Sequence, residues 1–166
     1  MEYRLEKATP NDVASVFSLV EARIHWMDVM GIKQWNTTGY LEVYPLDYYV
    51  EQQEQGNLYV LYTKDNDIVS AVVLLNDDDR WNDRAETSAF YVHNLVSDVA
   101  KHGAGSILLQ EVEKIAKQYG KEYIRLDCAV NNTFLNRYYE KRGYMLAGSC
   151  IDGMYVGNRR EKKLPK

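Results

Sequence analysis

Residues 91–109 read YVHNLVSDVAKHGAGSILL, and the interpretation of the whole chain turns on them. The first part is rich in β-branched and aromatic residues and predicts a strand, the HGAG segment supplies a glycine turn, and Ile107, Leu108, Val112, Ile115 and Ala116 then recur at helical spacing. A strand that enters an amphipathic helix through a short glycine loop aims several unpaired amide N–H groups and the positive end of a helix dipole at one point. Such a point suits phosphate, so the expected ligand carries one.

The rest of the composition narrows the class. A chain of 166 residues matches one domain, able to bury about two-thirds of its unfolded surface. No run approaches about 18 apolar residues, and MEYRLEKATP at the N-terminus lacks the apolar stretch of a secretion signal. A cytoplasmic protein with no membrane partner is expected. Cys128 and Cys150 stand in neither a CxxC nor a Cys/His cluster, so no metal is expected, and they would pair only in an oxidising compartment. A net charge of −4 argues against a nucleic-acid partner and mildly favours a cationic small molecule. Monomer and homodimer both remain open.

Along the chain, residues 3–7 alternate like a strand, and Thr9, Pro10 and Asp12 open a helix whose face carries Val13, Val16, Phe17, Val20, Ile24 and Met27. That helix should end near Met30, before Gly31. An aromatic loop containing Trp35, Tyr40 and Tyr44 leads to a second helix over 46–55. Runs 58–63 and 68–75 read as a hairpin, DDDRWNDRAE (77–86) as a polar connection, and 87–96 as a further strand. After the glycine loop the helix stops at Gly120, and the strand YIRLDCAV (123–130) follows. Asn131 or Asn132 then caps a helix that Gly143 ends, and two last strands meet at Asp152 and Gly153. The order is mixed α/β, with a crossover around the glycine loop. The basic tail RREKKLPK (159–166) and the acidic run Asp77, Asp78, Asp79 read as solvated segments.

Two nucleotide motifs fail. HGAGS has no lysine after its second glycine, as a Walker loop needs, and position 108 is leucine where a dinucleotide fold needs glycine. The segment instead resembles the glycine loop of the GNAT family of acyl-CoA-dependent N-acetyltransferases, which follows the fourth strand and reads Gln or Arg, two residues, Gly, one residue, Gly or Ala. Gly103 and Gly105 match its small positions and Ser106 begins the helix, while Ala100 stands where Gln or Arg is usual. Downstream, Asn132, Tyr139, Glu140, Gly143 and Tyr144 reproduce the family's spacing of Asn, six residues, Tyr-Glu, two residues, Gly-Phe. The resemblance covers nearly the whole chain.

It implies a mixed, mostly antiparallel sheet flanked by helices, with a splayed parallel strand pair, and acetyl-CoA as cosubstrate. By the same resemblance Leu95, Val96 and Ser97 would pair with the pantetheine arm, Asn132 would contact the coenzyme, and Tyr139 would act as general acid toward sulfur. Lys101, His102, Gly103, Ala104, Gly105 and Ser106 would hold the diphosphate, chiefly by main-chain donors. A phenol with a pKa of about 10 is protonated at neutral pH and suits the acid's role, although Tyr138 and Tyr139 also read as plain helix aromatics. His93 reads equally as base and as structural histidine, with Glu86 and Asp98 weaker candidates. His25, Asp28, Trp35 and Tyr40 form the candidate acceptor site, where aromatic rings and an acid suit an organic cation. The expected activity is acetyl transfer to a primary amine of a small molecule or peptide by direct attack in a ternary complex. The alternatives are an idle acyl-CoA-binding or sensing module and, less favoured, a nucleotide-dependent phosphotransferase.

Overall fold

The computed structural model describes residues 2–166. Its strands are β1 (Tyr3–Lys7), β2 (Leu58–Thr63), β3 (Ile68–Leu75), β4 (Ala89–Ser97), β5 (Tyr123–Ala129), β6 (Met145–Asp152) and β7 (Tyr155–Lys163). The helices are α1 (Val13–Met30), α2 (Tyr40–Val43), α3 (Leu46–Glu54), α4 (Ala104–Gln118) and α5 (Thr133–Lys141). Hydrogen bonding orders the strands β1-β2-β3-β4-β5-β7-β6. The sheet is mostly antiparallel, and β4 with β5 is its parallel pair. No helix among the described residues is long and apolar enough to cross a membrane. The backbone gathers into two compact units, one of the residues through Leu74 with His93–Val112, the other of Leu75–Val92 with Glu113–Lys166. β4 passes from the second into the first.

In the first unit β1 and β2 pair antiparallel from Tyr3↔Thr63 to Lys7↔Tyr59, and β2 pairs with β3 from Leu58↔Val73. Val60, Leu61, Ala71, Val72 and Val73 have no exposed surface. Burial on both faces is why these strands read as unbroken apolar runs rather than alternating ones. The expected helix start is present: the Thr9 N–H donates to Asp12 Oδ2 at 2.8 Å and the Asp12 N–H to the Thr9 carbonyl at 3.0 Å. α1 buries Val13, Val16, Val20 and Met27, and its Phe17 meets the buried Tyr49 of α3 edge-on at 5.9 Å. It stops at Gly31, whose φ of +70° lies in the left-handed region that lets a helix close without a clashing Cβ. The aromatic segment after it is not all loop, because α2 forms within it.

In the second unit β5 pairs with β7 from Tyr123↔Lys163 to Ala129↔Gly157, and β7 with β6 from Met145↔Glu161 to Asp152↔Tyr155. The closing turn is therefore Gly153 and Met154, one residue later than the sequence suggested. Two other expectations need correction. The polar connection holds a 3-10 turn, Asp79–Arg84, whose Trp81 is 1% exposed. The basic tail is largely strand, with Arg159 and Arg160 buried. Arg159 donates to both Asp83 carboxylate oxygens (2.6 and 3.1 Å) and to the Arg80 carbonyl (2.7 Å). Gly148 makes room for it, since a Cβ there would stand 2.6 Å from Arg159 Nη2.

Arg125 on β5 is the pin of this unit. It is 1% exposed, yet its guanidinium donates to Glu161 Oε1, the Arg84 carbonyl and the Tyr91 hydroxyl, each at 3.0 Å, and to Thr87 Oγ1. Rings of Trp81, Tyr123 and Tyr91 lie around it at 5.2, 5.0 and 5.7 Å. A buried charge is tolerated only when its donors are met in this way. Replacing Arg125 with Ala leaves the largely buried Glu161 with Arg84 as its remaining partner, so the expected loss is about 3 kcal/mol, the low end for breaking a buried pair. Arg125→Lys should recover less than half of it, because an ammonium cannot span the same acceptors. Urea unfolding of the two variants beside the wild-type chain reads both numbers.

Candidate functional site

The end of β4 is unusual because its rungs with β5 stop and its backbone conformation changes within a few residues. Parallel pairing with β5 comprises Ala89↔Tyr123, Phe90↔Ile124 and Tyr91↔Arg125. Three residues later Asn94 has φ of +54°, a left-handed conformation that Asn tolerates better than most residues. Beyond it, β4 leans on β3: Ser70 Oγ donates to the Val96 carbonyl at 2.7 Å, and the Asp98 N–H donates to the Val69 carbonyl at 2.9 Å. Alternation along a strand then turns the peptide groups of Leu95 and Ser97 to the opposite edge. There the Ser97 carbonyl and hydroxyl accept from Arg23 Nη2 at 2.9 and 3.2 Å. Leu95 lies on the same edge, between Asn94 and the Val96 carbonyl that Ser70 holds.

The following loop is a built turn. Asp98 Oδ1 accepts from the Ala100 N–H at 2.9 Å and the Asp98 carbonyl from the Lys101 N–H at 3.0 Å. The Lys101 carbonyl accepts from the Ala104 N–H at 3.2 Å, and the Gly103 carbonyl from the Ile107 N–H at 3.2 Å. Two of the amides expected to hold a ligand, those of Lys101 and Ala104, therefore close the turn itself. Gly103 has φ of +87°. Helix geometry leaves first-turn amides such as that of Gly105 without intrahelical carbonyls, and Lys101, His102 and Gly103 are exposed in front of them. The arrangement fits an anionic, phosphate-bearing group. A Cβ on Gly105 would make ordinary contacts with Ser97 Oγ at 3.8 Å and Leu95 Cδ2 at 3.9 Å.

The acceptor candidates divide. Trp35 stacks on Tyr40 at 4.2 Å and 9°, and the row continues through Tyr44, Tyr48 and Tyr49 at 4.9, 4.8 and 5.1 Å. Tyr40 is buried, and its hydroxyl accepts from Asn94 Nδ2 at 2.6 Å, while the Tyr48 hydroxyl donates to Asn94 Oδ1 at 2.8 Å. Burial raises the pKa of both phenols and pushes Tyr49 up to about 12. His25 and Asp28 are exposed on α1. Asp28 reaches the aromatic segment through Asn36, whose Nδ2 donates to its Oδ1 at 2.7 Å. His93 is half-buried beside Asn94, and Asp98 is taken up with the turn. Sequence reading missed Arg23, Tyr48 and Asn94. The i, i+4 spacing of Tyr40, Tyr44 and Tyr48 was the available signal for the row, whereas nothing local marks Asn94.

Asn132 and Tyr139 lie in the second unit, as does Glu86. Asn132 Oδ1 accepts from the Leu135 N–H at 3.0 Å and caps α5. Tyr139 is 8% exposed, its ring edge-on to Tyr138 at 5.4 Å and Tyr144 at 5.7 Å. Burial, with the Cys128 thiol next in importance, raises its pKa and keeps the hydroxyl protonated. Cys128 and Cys150 are free, buried thiols, and burial pushes Cys128 up to about 11. Among the described residues no group of three or more His, Cys, Asp or Glu side chains is placed to hold a metal ion.

The two loop glycines should respond differently to a methyl group. Gly103→Ala forces a left-handed backbone on a residue with a Cβ and should cost about 1–2 kcal/mol. Gly105→Ala meets only ordinary contacts and should stay within about 0.5 kcal/mol of wild type. Thermal unfolding of both variants measures the contrast.

Comparison with known proteins gives these elements a lineage. The chain is 28% identical over 156 residues to the uncharacterized N-acetyltransferase YesJ of Bacillus subtilis (strain 168), covering 90% of this chain and 85% of that protein. Its fold is shared by a GNAT-family acetyltransferase of Listeria monocytogenes 4b F2365, with a TM-score of 0.83, 22% identity and coverage of 99% and 96% of the two chains. It is shared too by the PaiA N-acetyltransferase of Thermoplasma acidophilum, solved in complex with coenzyme A, with a TM-score of 0.70, 20% identity and coverage of 98% and 99%. Residues 24–144, which contain β4, the glycine loop, α4, β5 and α5, match the acetyltransferase (GNAT) family: the chain belongs to that family.

Proposed function

We propose that residues 1–166 act as one N-acyltransferase domain that moves an acetyl group from acetyl-CoA to a primary amine of a small molecule or peptide, by direct attack while both are bound. The observation that carries this reading is the exposed turn at Gly103, which opens α4 directly after the end of β4, where Asn94 is left-handed. Bound acetyl-CoA supplies an acyl group activated as a thioester. The amides around Gly103 and Gly105, with Lys101 and His102, hold the diphosphate. Leu95, Val96 and Ser97 provide the strand edge for the pantetheine arm, with Val96 acting from within the β3 pairing rather than through its carbonyl. Asn132 contacts the coenzyme with the part of its side chain that capping leaves over.

Acyl transfer forms a bond from the amine nitrogen to the carbonyl carbon and breaks the bond from that carbon to sulfur. The Leu95 N–H stabilises negative charge developing on the carbonyl oxygen. Tyr139 delivers its proton to the departing sulfur, and His93 removes the proton that the amine must lose, directly or through water. Trp35 and Tyr40, with His25 and Asp28 at the end of α1, select an organic cation as acceptor. The protein works in the cytoplasm as a monomer or homodimer, without a metal.

Release of free thiol from acetyl-CoA across a panel of polyamines, amino acids, aminoglycosides and peptides tests the reading, and at least one amine should support turnover. Tyr139→Phe should lower kcat by about 10²-fold while leaving coenzyme A affinity within about twofold. A chain that binds coenzyme A tightly and stays silent across the panel is a binding or sensing module instead. The pH profile adds a second check. Because burial raises the Tyr139 pKa, its acid form persists past the ordinary phenol value of about 10. The rate should therefore show no alkaline decline between pH 7 and about 9 that Tyr139→Phe removes.

A further inference from the structure

Asn94 sits three residues past the last backbone rung between β4 and β5 and one residue before Leu95. Its left-handed backbone shifts the alternation of β4, so it decides which edge the Leu95 peptide faces. A non-glycine residue at φ of +54° reverts to an extended strand unless its surroundings hold it. Both polar ends of its side chain are held. Tyr40 of α2 accepts from the amide nitrogen at 2.6 Å, and Tyr48 of α3 donates to the amide oxygen at 2.8 Å. Tyr40 is 8% exposed and Tyr48 half-buried, and their rings sit in the stacked row from Trp35 to Tyr49. Neither phenol can swing away from Asn94 without breaking ring contacts.

We propose that Tyr40 and Tyr48 are positioning residues of the transferase, acting through the Asn94 side chain to hold β4 in the turn that aims the Leu95 N–H at the acyl carbonyl. This rests on the function proposed above. The aromatic segment then has two roles, because the row that includes the acceptor candidates Trp35 and Tyr40 also holds the oxyanion donor.

Kinetics of the full chain in a double-mutant cycle separate this role from acceptor contact and from plain stability. Tyr48→Phe keeps the ring and removes only the hydroxyl, and it should lower kcat about tenfold while the KM for acetyl-CoA changes less than about threefold. Asn94→Gly should retain more activity than Asn94→Ala, because glycine adopts positive φ without help. In the Asn94→Gly background, Tyr48→Phe should have no further effect on kcat, because the hydroxyl then has nothing to hold. Hydrogen exchange at the Leu95 amide in the coenzyme A complex should quicken in Tyr48→Phe and not in the Gly-background pair. The positioning role is overturned by wild-type kcat in Tyr48→Phe, or by an equal loss from Tyr48→Phe in both backgrounds, which would mark direct contact with the acceptor. A change in melting temperature with unchanged kcat overturns it as well. A wild-type chain that releases no thiol with any amine overturns the transferase reading itself, and the positioning role with it.

Discussion

A backbone amide in the middle of a strand is normally spent on the neighbouring strand, and the constraint that shapes the candidate site is the end of the parallel rungs between β4 and β5. The parallel rungs reach Tyr91, Asn94 adopts a left-handed conformation, and the peptide groups that follow are redistributed. The Val96 carbonyl and the Asp98 N–H go to β3 and the Ser97 carbonyl goes to Arg23. Buried backbone donors and acceptors must find partners.

Much of the remaining architecture can be understood as holding that stretch still. On the first unit, Ser70 from β3 reaches Val96, Arg23 from α1 reaches Ser97, and the two phenols from α2 and α3 reach Asn94. Each contact is polar and side-chain mediated, so each depends on a residue distant in sequence. On the second unit, the start of β4 is secured by the Arg125 cluster, whose guanidinium meets the Tyr91 hydroxyl at 3.0 Å. A buried charge with its donors answered is costly to disturb, and it anchors the strand just before its pairing changes.

The glycine turn illustrates how motif and geometry divide the labour. Its departure from the family pattern, Ala100 in place of Gln or Arg, replaces a side chain that is not part of the turn's own bonding. Ala100 contributes its amide to Asp98, and Asp98 in turn accepts the Lys101 amide, so the turn is organised from Asp98 rather than from position 100. The positive φ at Gly103 is what a Cβ would oppose. Tyr139, in contrast, owes its protonated state to burial beside Tyr138 and Tyr144, a consequence of packing that no motif states.

Local chemistry was enough to determine the elements with strong periodicity or punctuation. The strands 3–7, 58–63 and 68–75, the start of α1 at Thr9 and Asp12, its stop at Gly31 and the Asn132 cap all follow from apolar spacing, capping oxygens and glycine. The family itself was legible in two spaced motifs, and the aromatic row was half visible in the i, i+4 tyrosines. Three things were not. Trp81 and the arginines of 159 and 160 look like surface residues in sequence because their burial depends on partners tens of residues away, Asp83 and Arg80 among them. Asn94 looks like any polar strand residue, since the phenols that meet its side chain, Tyr40 and Tyr48, stand 54 and 46 positions earlier. Sequence encodes what neighbours along the chain can do to one another. Which donors stay unspent, and which charges are buried, is set by contacts that exist only once distant segments have packed.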